Sequence, residues 1–250
     1  MKKYIFLLLT TVFFAGFKPE PEPCECNLQN ILEVSFQLQK DGQNLDIQEE
    51  FKADSLGMIV QKMRFYLSHM SIHNTNNYDV QLSEVSIVDL EEPSLATFQY
   101  LADEGGYDAI KFSVGLDAAQ NGQDPATFPL EHPLSTYYNM YWGWAALYKF
   151  MEFQGKANPS GVIGNPNEVA FSYHPGANDF YKTYSIPVSF NITSTKPTIV
   201  IKIDYDTIFN GSAGSVDVLT ENQSHTTPAD YSIAERIIFN FGESLSAVVL

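Results

Sequence analysis

From about residue 29 onward the chain is a succession of short runs in which apolar and polar residues alternate between turn residues, the period-two signature of half-buried strands. Residues 32–38 read Leu-Glu-Val-Ser-Phe-Gln-Leu and run into Lys40-Asp-Gly-Gln43, which predicts a strand closed by a hairpin-type turn. Residues 57–72 continue with strand character, and Asn74-Thr-Asn-Asn77 predicts a loop ahead of a strand over 80–88. Further strands are expected at 109–115, 169–174, 184–190, 197–204 and 215–219, all favouring β-branched and aromatic residues. Outside the middle of the chain, helical spacing is best in the tail, 229–245, at Ile233, Ile237, Ile238 and Phe241. No internal repeat or linker divides the chain. The pattern therefore predicts an all-β fold, an antiparallel β-sandwich with short helices in connections and near the C-terminus.

The first residues depart from this pattern. Lys2 and Lys3 precede an apolar run over residues 4–17 that is too short to cross a bilayer core of ~30 Å as a helix. Residues 1–17 therefore read as a signal peptide. Residues 18–28, which include Lys18-Pro-Glu-Pro-Glu-Pro23, form a Pro/Glu-rich spacer of polyproline type, and the domain occupies 29–250. The expectation is an exported protein of the periplasm or cell surface with no integral membrane span in the mature chain. Cys24 and Cys26 fall in the spacer, and two thiols make neither a four-thiolate zinc site nor a disulfide framework.

Composition narrows the function classes. Thirty acidic against fourteen basic side chains give a net charge of -16, which repels a phosphate backbone and argues against nucleic acid. A chain of 250 residues that is 44% hydrophobic and 18% charged can bury a large core. It contains no Gly-x-Ser-x-Gly elbow, no His-Glu-x-x-His and no Gly-rich phosphate loop, so a binding protein is expected rather than an enzyme.

Candidate chemistry is concentrated between residues 132 and 155, which hold both tryptophans, several tyrosines, two methionines and His132. Core packing accounts for such rings. So does a soft-metal or electron-transfer site, since imidazole and thioether suit Cu(I) and the chain has no useful thiols. His69 and His73 sit four apart on a predicted strand and share a face, but a partly exposed strand face explains them more simply. His225, in the polar stretch 221–227, reads as a solvated loop residue. Asp117 with Asn121, and Asp204 with Asp206, offer oxygen ligands for calcium without EF-hand spacing; turn-forming carboxylates that cap loop amides are the simpler account.

Several segments occur in an order that identifies a family. They are Phe65-Tyr-Leu-Ser68, Phe112-Ser-Val-Gly-Leu-Asp117 with Asn121, His132-Pro-Leu134, Met140-Tyr-Trp-Gly-Trp144, Tyr148-Lys-Phe-Met-Glu-Phe-Gln-Gly155, Phe171-Ser-Tyr-His174 and Ile203-Asp204. From about residue 29 to 242 the chain resembles the MbnP-like family, exported relatives of the methanobactin-associated periplasmic protein and of copper-repressible surface proteins of methane oxidisers. The resemblance implies a β-sandwich that binds copper. In some relatives it does so through two histidines and a tryptophan oxidised to kynurenine by a dihaem peroxidase-like partner. Carried onto this chain, the resemblance makes His174 the first metal ligand and Trp142 or Trp144 the indole. His132 is the second candidate ligand, because Pro133 and the loop-like context of residues 131–134 leave its ring free to turn toward a site. Relatives with a four-cysteine motif carry cysteines that this chain lacks. The competing reading is a metal-free or calcium-stabilised module that docks a protein or glycan through the aromatic loop.

Overall fold

Alternation along the first strand decides which face of the chain turns inward. In β1 (Ile31–Lys40) Leu32, Val34, Phe36 and Leu38 are buried while Ile31, Glu33, Ser35 and Gln37 between them are partly exposed. Asp41 and Gly42 then take positive φ of 52° and 74°, the mirror-image turn whose twist matches a hairpin, and β2 (Gln43–Asn44) pairs back antiparallel. The computed structural model describes residues 30–143, 147–193 and 196–250. The expected signal peptide and spacer, with Cys24 and Cys26, lie outside the described residues, as does Trp144.

The chain continues through β3 (Glu50–Ala53), β4 (Leu56–Asn74), β5 (Tyr78–Asp89), α1 (Pro93–Ala96), β6 (Thr97–Leu101), β7 (Gly105–Val114) and α2 (Ala118–Asn121). After a long connection come β8 (Met151–Asn158), β9 (Val169–Tyr173), β10 (Lys182–Ile192), β11 (Thr198–Asp204), α3 (Tyr205–Asn210), β12 (Gln223–Ser224), α4 (Tyr231–Glu243) and β13 (Leu245–Val249). They form a five-stranded sheet around β1 and β11 and an eight-stranded sheet around β4. The two sheets face each other through aromatic side chains: the ring of Phe36 on β1 stands edge-on to Phe65 on β4 at 5.7 Å and to Phe112 on β7 at 6.3 Å. Helix α4 turns Ala234, Ile237, Ile238 and Phe241 inward, with Phe241 4.9 Å from Phe65. This is the expected β-sandwich with short helices.

Three details depart from the sequence pattern. Two ladders run parallel, β1 with β11 and β9 with β12, so the sheets are mixed. The helix expected over 229–245 is α4, but the chain then adds β13, a strand the pattern did not show, which pairs antiparallel with β11. Residues 215–219 form no strand. Val216 and Val218 are buried there, but Asp217 bends the chain, its carboxylate accepting from the Leu219 N–H and the Thr220 hydroxyl. An Asp-centred turn has mimicked strand alternation.

The pairing of β4 positions the functional region. Residues 57–65 of β4 pair with β8 and residues 67–74 with β7, both on the edge opposite β5. Tyr66 marks the seam, its N–H donating to the Phe150 carbonyl and its carbonyl accepting from the Gly115 N–H, each at 3.0 Å. The connection from β7 to β8 thus leaves and returns at one point of β4, and folds over the outer face of the sheet.

Candidate metal centre

On β8, period two sends Met151 and Phe153 into the core and Glu152 and Gln154 to the other face. Gln154 stands across from Ser172 on β9, and Ser172 is level with Gln223 on β12. Continuing that register by two residues brings His174 beside His225, and the His174 N–H donates to the Ser224 carbonyl at 2.7 Å. The two imidazole rings lie 5.2 Å apart at an interplanar angle of 85°, close to the spacing of adjacent strands.

The indole arrives from the β7–β8 connection. Residues 140–142 and 147–149 form the two arms of a narrow hairpin, with the Lys149 N–H donating to the Met140 carbonyl at 2.7 Å and the Trp142 N–H to the Leu147 carbonyl at 2.8 Å. Its returning arm lies against residues 175–176, directly after His174, through a bridge between Lys149 and Gly176. A Cβ at position 176 would lie 2.5 Å from the Tyr148 carbonyl oxygen, so the close approach requires glycine. The outcome is a three-ring cluster in which Trp142 stands 5.8 Å from His174 and 5.8 Å from His225. Three segments far apart in sequence meet on one outer face of the sandwich.

His174 is held and left incomplete at once. Only 8% of it is exposed. Its Nε2 meets the Gln154 amide at 2.6 Å and the Ser172 hydroxyl at 3.2 Å, whereas its Nδ1 is buried with no hydrogen-bond partner. As placed, the Gln154 amide nitrogen faces Nε2 and donates to it; with that amide turned about so that its oxygen meets the ring, Nε2–H donates instead and Nδ1 presents a bare lone pair. Burial, reinforced by the Lys149, His225 and Lys62 charges, pushes the His174 pKa down to about 3, so the imidazole stays neutral at ordinary pH. Neutral imidazole is the form that binds a metal. A buried, unpartnered ring nitrogen is costly unless something completes it.

His225 is fixed through its backbone. Its N–H donates to the Asp230 carboxylate at 2.9 Å, as does that of Thr227 at 2.6 Å. The Thr226 hydroxyl donates to the His174 carbonyl at 3.2 Å and accepts from the Gly176 N–H at 3.0 Å, tying the His225 turn to the His174 segment.

A band of ion pairs runs from the cluster toward β4. Lys149 is buried, with its ammonium 5.8 Å from the Trp142 ring centroid and 2.5 Å from Glu152. The Glu152 carboxylate also stands 4.0 Å from Lys62 and 3.8 Å from Arg64, and Arg64 Nε donates to Asp89 at 2.8 Å.

The other expected residues lie elsewhere. The second imidazole beside Trp142 and His174 is His225, not His132. The ring of His132 stacks on Phe128 at 4.1 Å and 11°, and its Nδ1 accepts the Leu134 N–H at 3.1 Å. Its loop is pinned by two tyrosine hydroxyls, Tyr66 donating to the Pro133 carbonyl and Tyr148 to that of Leu134. His225, expected to be a solvated loop residue, is half-buried in the cluster. His69 bonds Asp117 at 2.8 Å across a bulge in β4, and His73 bonds Asp79 at 2.7 Å, so each is tied to a carboxylate outside the cluster. Asp117 caps α2 in a capping box and Asp204 caps α3, while Asp206 pairs with Lys40. Those carboxylates, considered for calcium, thus have local partners.

The model of the MbnP family matches residues 29–227, a span that holds Trp142, His174 and His225. The chain belongs to the MbnP family. Among solved structures, MbnP from Methylosinus trichosporium is similar in fold, with a TM-score of 0.54 over 88% of this chain and 98% of that chain at 16% identity. A comparison with curated proteins finds no match. Among the described residues of this MbnP-family chain, no helix is long and apolar enough to cross a membrane.

Proposed function

We propose that this chain is an exported copper-binding protein that holds the metal between His174 and His225 beside Trp142. The observation that carries the reading is the buried, unpartnered Nδ1 of His174, in a ring held neutral and set 5.2 Å from a second imidazole. The donor set fits copper: two imidazoles are good ligands for it, and an indole face adds a soft, polarisable wall. When bound, the ion supplies a soft Lewis-acid centre. The protein supplies the rest, with Gln154 and Ser172 orienting the first ring and Asp230 and Thr226 placing the second. Export follows from the charged and apolar pattern of residues 1–17. The chain binds rather than catalyses in this reading.

The test is titration of the purified chain with Cu(I) against a competing chelator. Wild type and His132→Ala are expected to bind one equivalent with equal affinity, whereas His174→Ala and His225→Ala lose a hundredfold or more, about 2.7 kcal/mol. Unchanged binding by His225→Ala overturns the assignment.

A further inference from the structure

The centre is built of neutral ligands beside a buried positive charge. Among the described residues, no group of three or more His, Cys, Asp or Glu side chains could hold a metal ion, so no carboxylate or thiolate completes the His174–His225 pair. The charged groups facing the cluster come from four elements: Lys149 on the hairpin, Glu152 on β8, Lys62 and Arg64 on β4, and Asp230 before α4. Asp230 is committed to two backbone N–H groups at 2.9 and 2.6 Å. Glu152 lies 2.5 Å from Lys149 and stands farther from Lys62 and Arg64, at 4.0 and 3.8 Å, which have Glu91 and Asp89 as further carboxylate partners. Lys149 is the member that reaches the tryptophan, and it is only 5% exposed, where water screens it little. A buried ion pair of this kind is weak evidence for stability.

We propose that Lys149, positioned by Glu152, makes the His174–His225–Trp142 centre select monovalent over divalent cations. The inference rests on the copper reading and deepens it. Two neutral imidazoles and an indole place no negative charge on the ion, so an entering cation keeps its full charge against the Lys149 ammonium. Coulomb repulsion is proportional to that charge, so a divalent ion is penalised twice as much as a monovalent one at the same place. The centre therefore accepts Cu(I), or the redox-inert Ag(I), and discriminates against Cu(II) and Zn(II). Lys149 is a positioning and selectivity residue in this scheme, not a ligand.

The experiment measures dissociation constants of Ag(I), Zn(II) and Cu(II) by competition for the full mature chain and three variants. Lys149→Met removes the charge, Lys149→Met/Glu152→Gln removes the pair together in case a lone buried carboxylate unfolds the chain, and Lys149→Arg keeps the charge. Removing the charge is expected to narrow the ratio of Ag(I) to divalent affinity by roughly tenfold or more, the effect of a unit charge a few ångströms away at intermediate dielectric. Lys149→Arg is expected to hold the wild-type ratio. A merely structural lysine would lower all three affinities together and leave the ratio fixed, and that result overturns the proposal. Wild type that binds Ag(I) with an unchanged ratio in the charge-removing variants sinks the Lys149 inference and leaves the copper reading standing. Wild type that takes up none of the ions, Cu(I) included, sinks both.

Discussion

At the scale of the residue, His174 is the side chain on which pH acts most simply. Its pKa is lowered from 6.5 to about 3 by burial first and by neighbouring positive charge second. Between these values the unfolded chain binds a proton that the folded chain refuses, so stability rises with pH across the window. The contribution of neutral His174 is complete above about pH 6.5 and declines as pH falls toward 3. Its size is on the order of 1 kcal/mol per pH unit inside the window. Urea unfolding of the metal-free protein at pH 7.5, 6 and 5 should show this loss in wild type. His174→Gln, which keeps a polar side chain of similar reach without the titration, should show a shallower loss. Parallel pH profiles in the two proteins would mean that the ring is protonated in the folded state. The same residue scale explains the choice of histidines. The sequence pointed to His174 through Phe171-Ser-Tyr-His174, and the ring lies in the cluster. His132 looked free because Pro133 and a loop surround it, but a stack on Phe128 and a bond from the N–H two residues on are not visible as spacing.

At the scale of the element, what pattern could reveal depended on length. Strands of ten residues or more are long enough to be read directly, β1 by its alternation and β4 and β5 by their runs of β-branched and other apolar residues. β12 has two residues, both polar, and exists only because β9 offers an edge in parallel register. His225 directly follows that short strand, which is why a polar stretch gave no sign of a half-buried ring. Its position depends instead on Asp230, which precedes α4 as its N-cap yet makes no side-chain cap bond, since both carboxylate oxygens serve the His225 and Thr227 N–H groups. Local side-chain bonding has been diverted from the helix to the turn. Asp230→Ala is therefore expected to leave α4 largely intact by circular dichroism while freeing the His225 turn. Two bonds to a charged group are lost, about 1–3 kcal/mol of stability in a partly exposed setting. Copper affinity should fall at least tenfold, because the second imidazole is no longer held at the register of the first. A variant that loses helix but keeps copper affinity would assign Asp230 to the helix instead.

At the scale of the whole molecule, the centre is a property of closure. Trp142, His174 and His225 belong to separate segments, and they meet because the β7–β8 connection returns to β4 at Tyr66 and packs beside the ends of β9 and β12, which the histidines follow. The unfolded chain holds no such arrangement, so a metal that binds there binds the native state and stabilises it by mass action: a free concentration of a hundred times Kd adds about 2.7 kcal/mol. That linkage separates the site from the scaffold. Phe65, buried between Phe36 of the facing sheet and Phe241 of α4, belongs to the core between the sheets. Phe65→Leu should lower the melting temperature of the metal-free protein through lost packing, of order 1 kcal/mol, yet respond to added Cu(I) with the same upward shift as wild type. His225→Ala should do the reverse, melting near wild type without metal because its ring is only half-buried, and gaining nothing from Cu(I). If the copper-induced shift instead follows core stability, shrinking in Phe65→Leu and persisting in His225→Ala, the ion is held elsewhere in the fold and the three rings are packing alone.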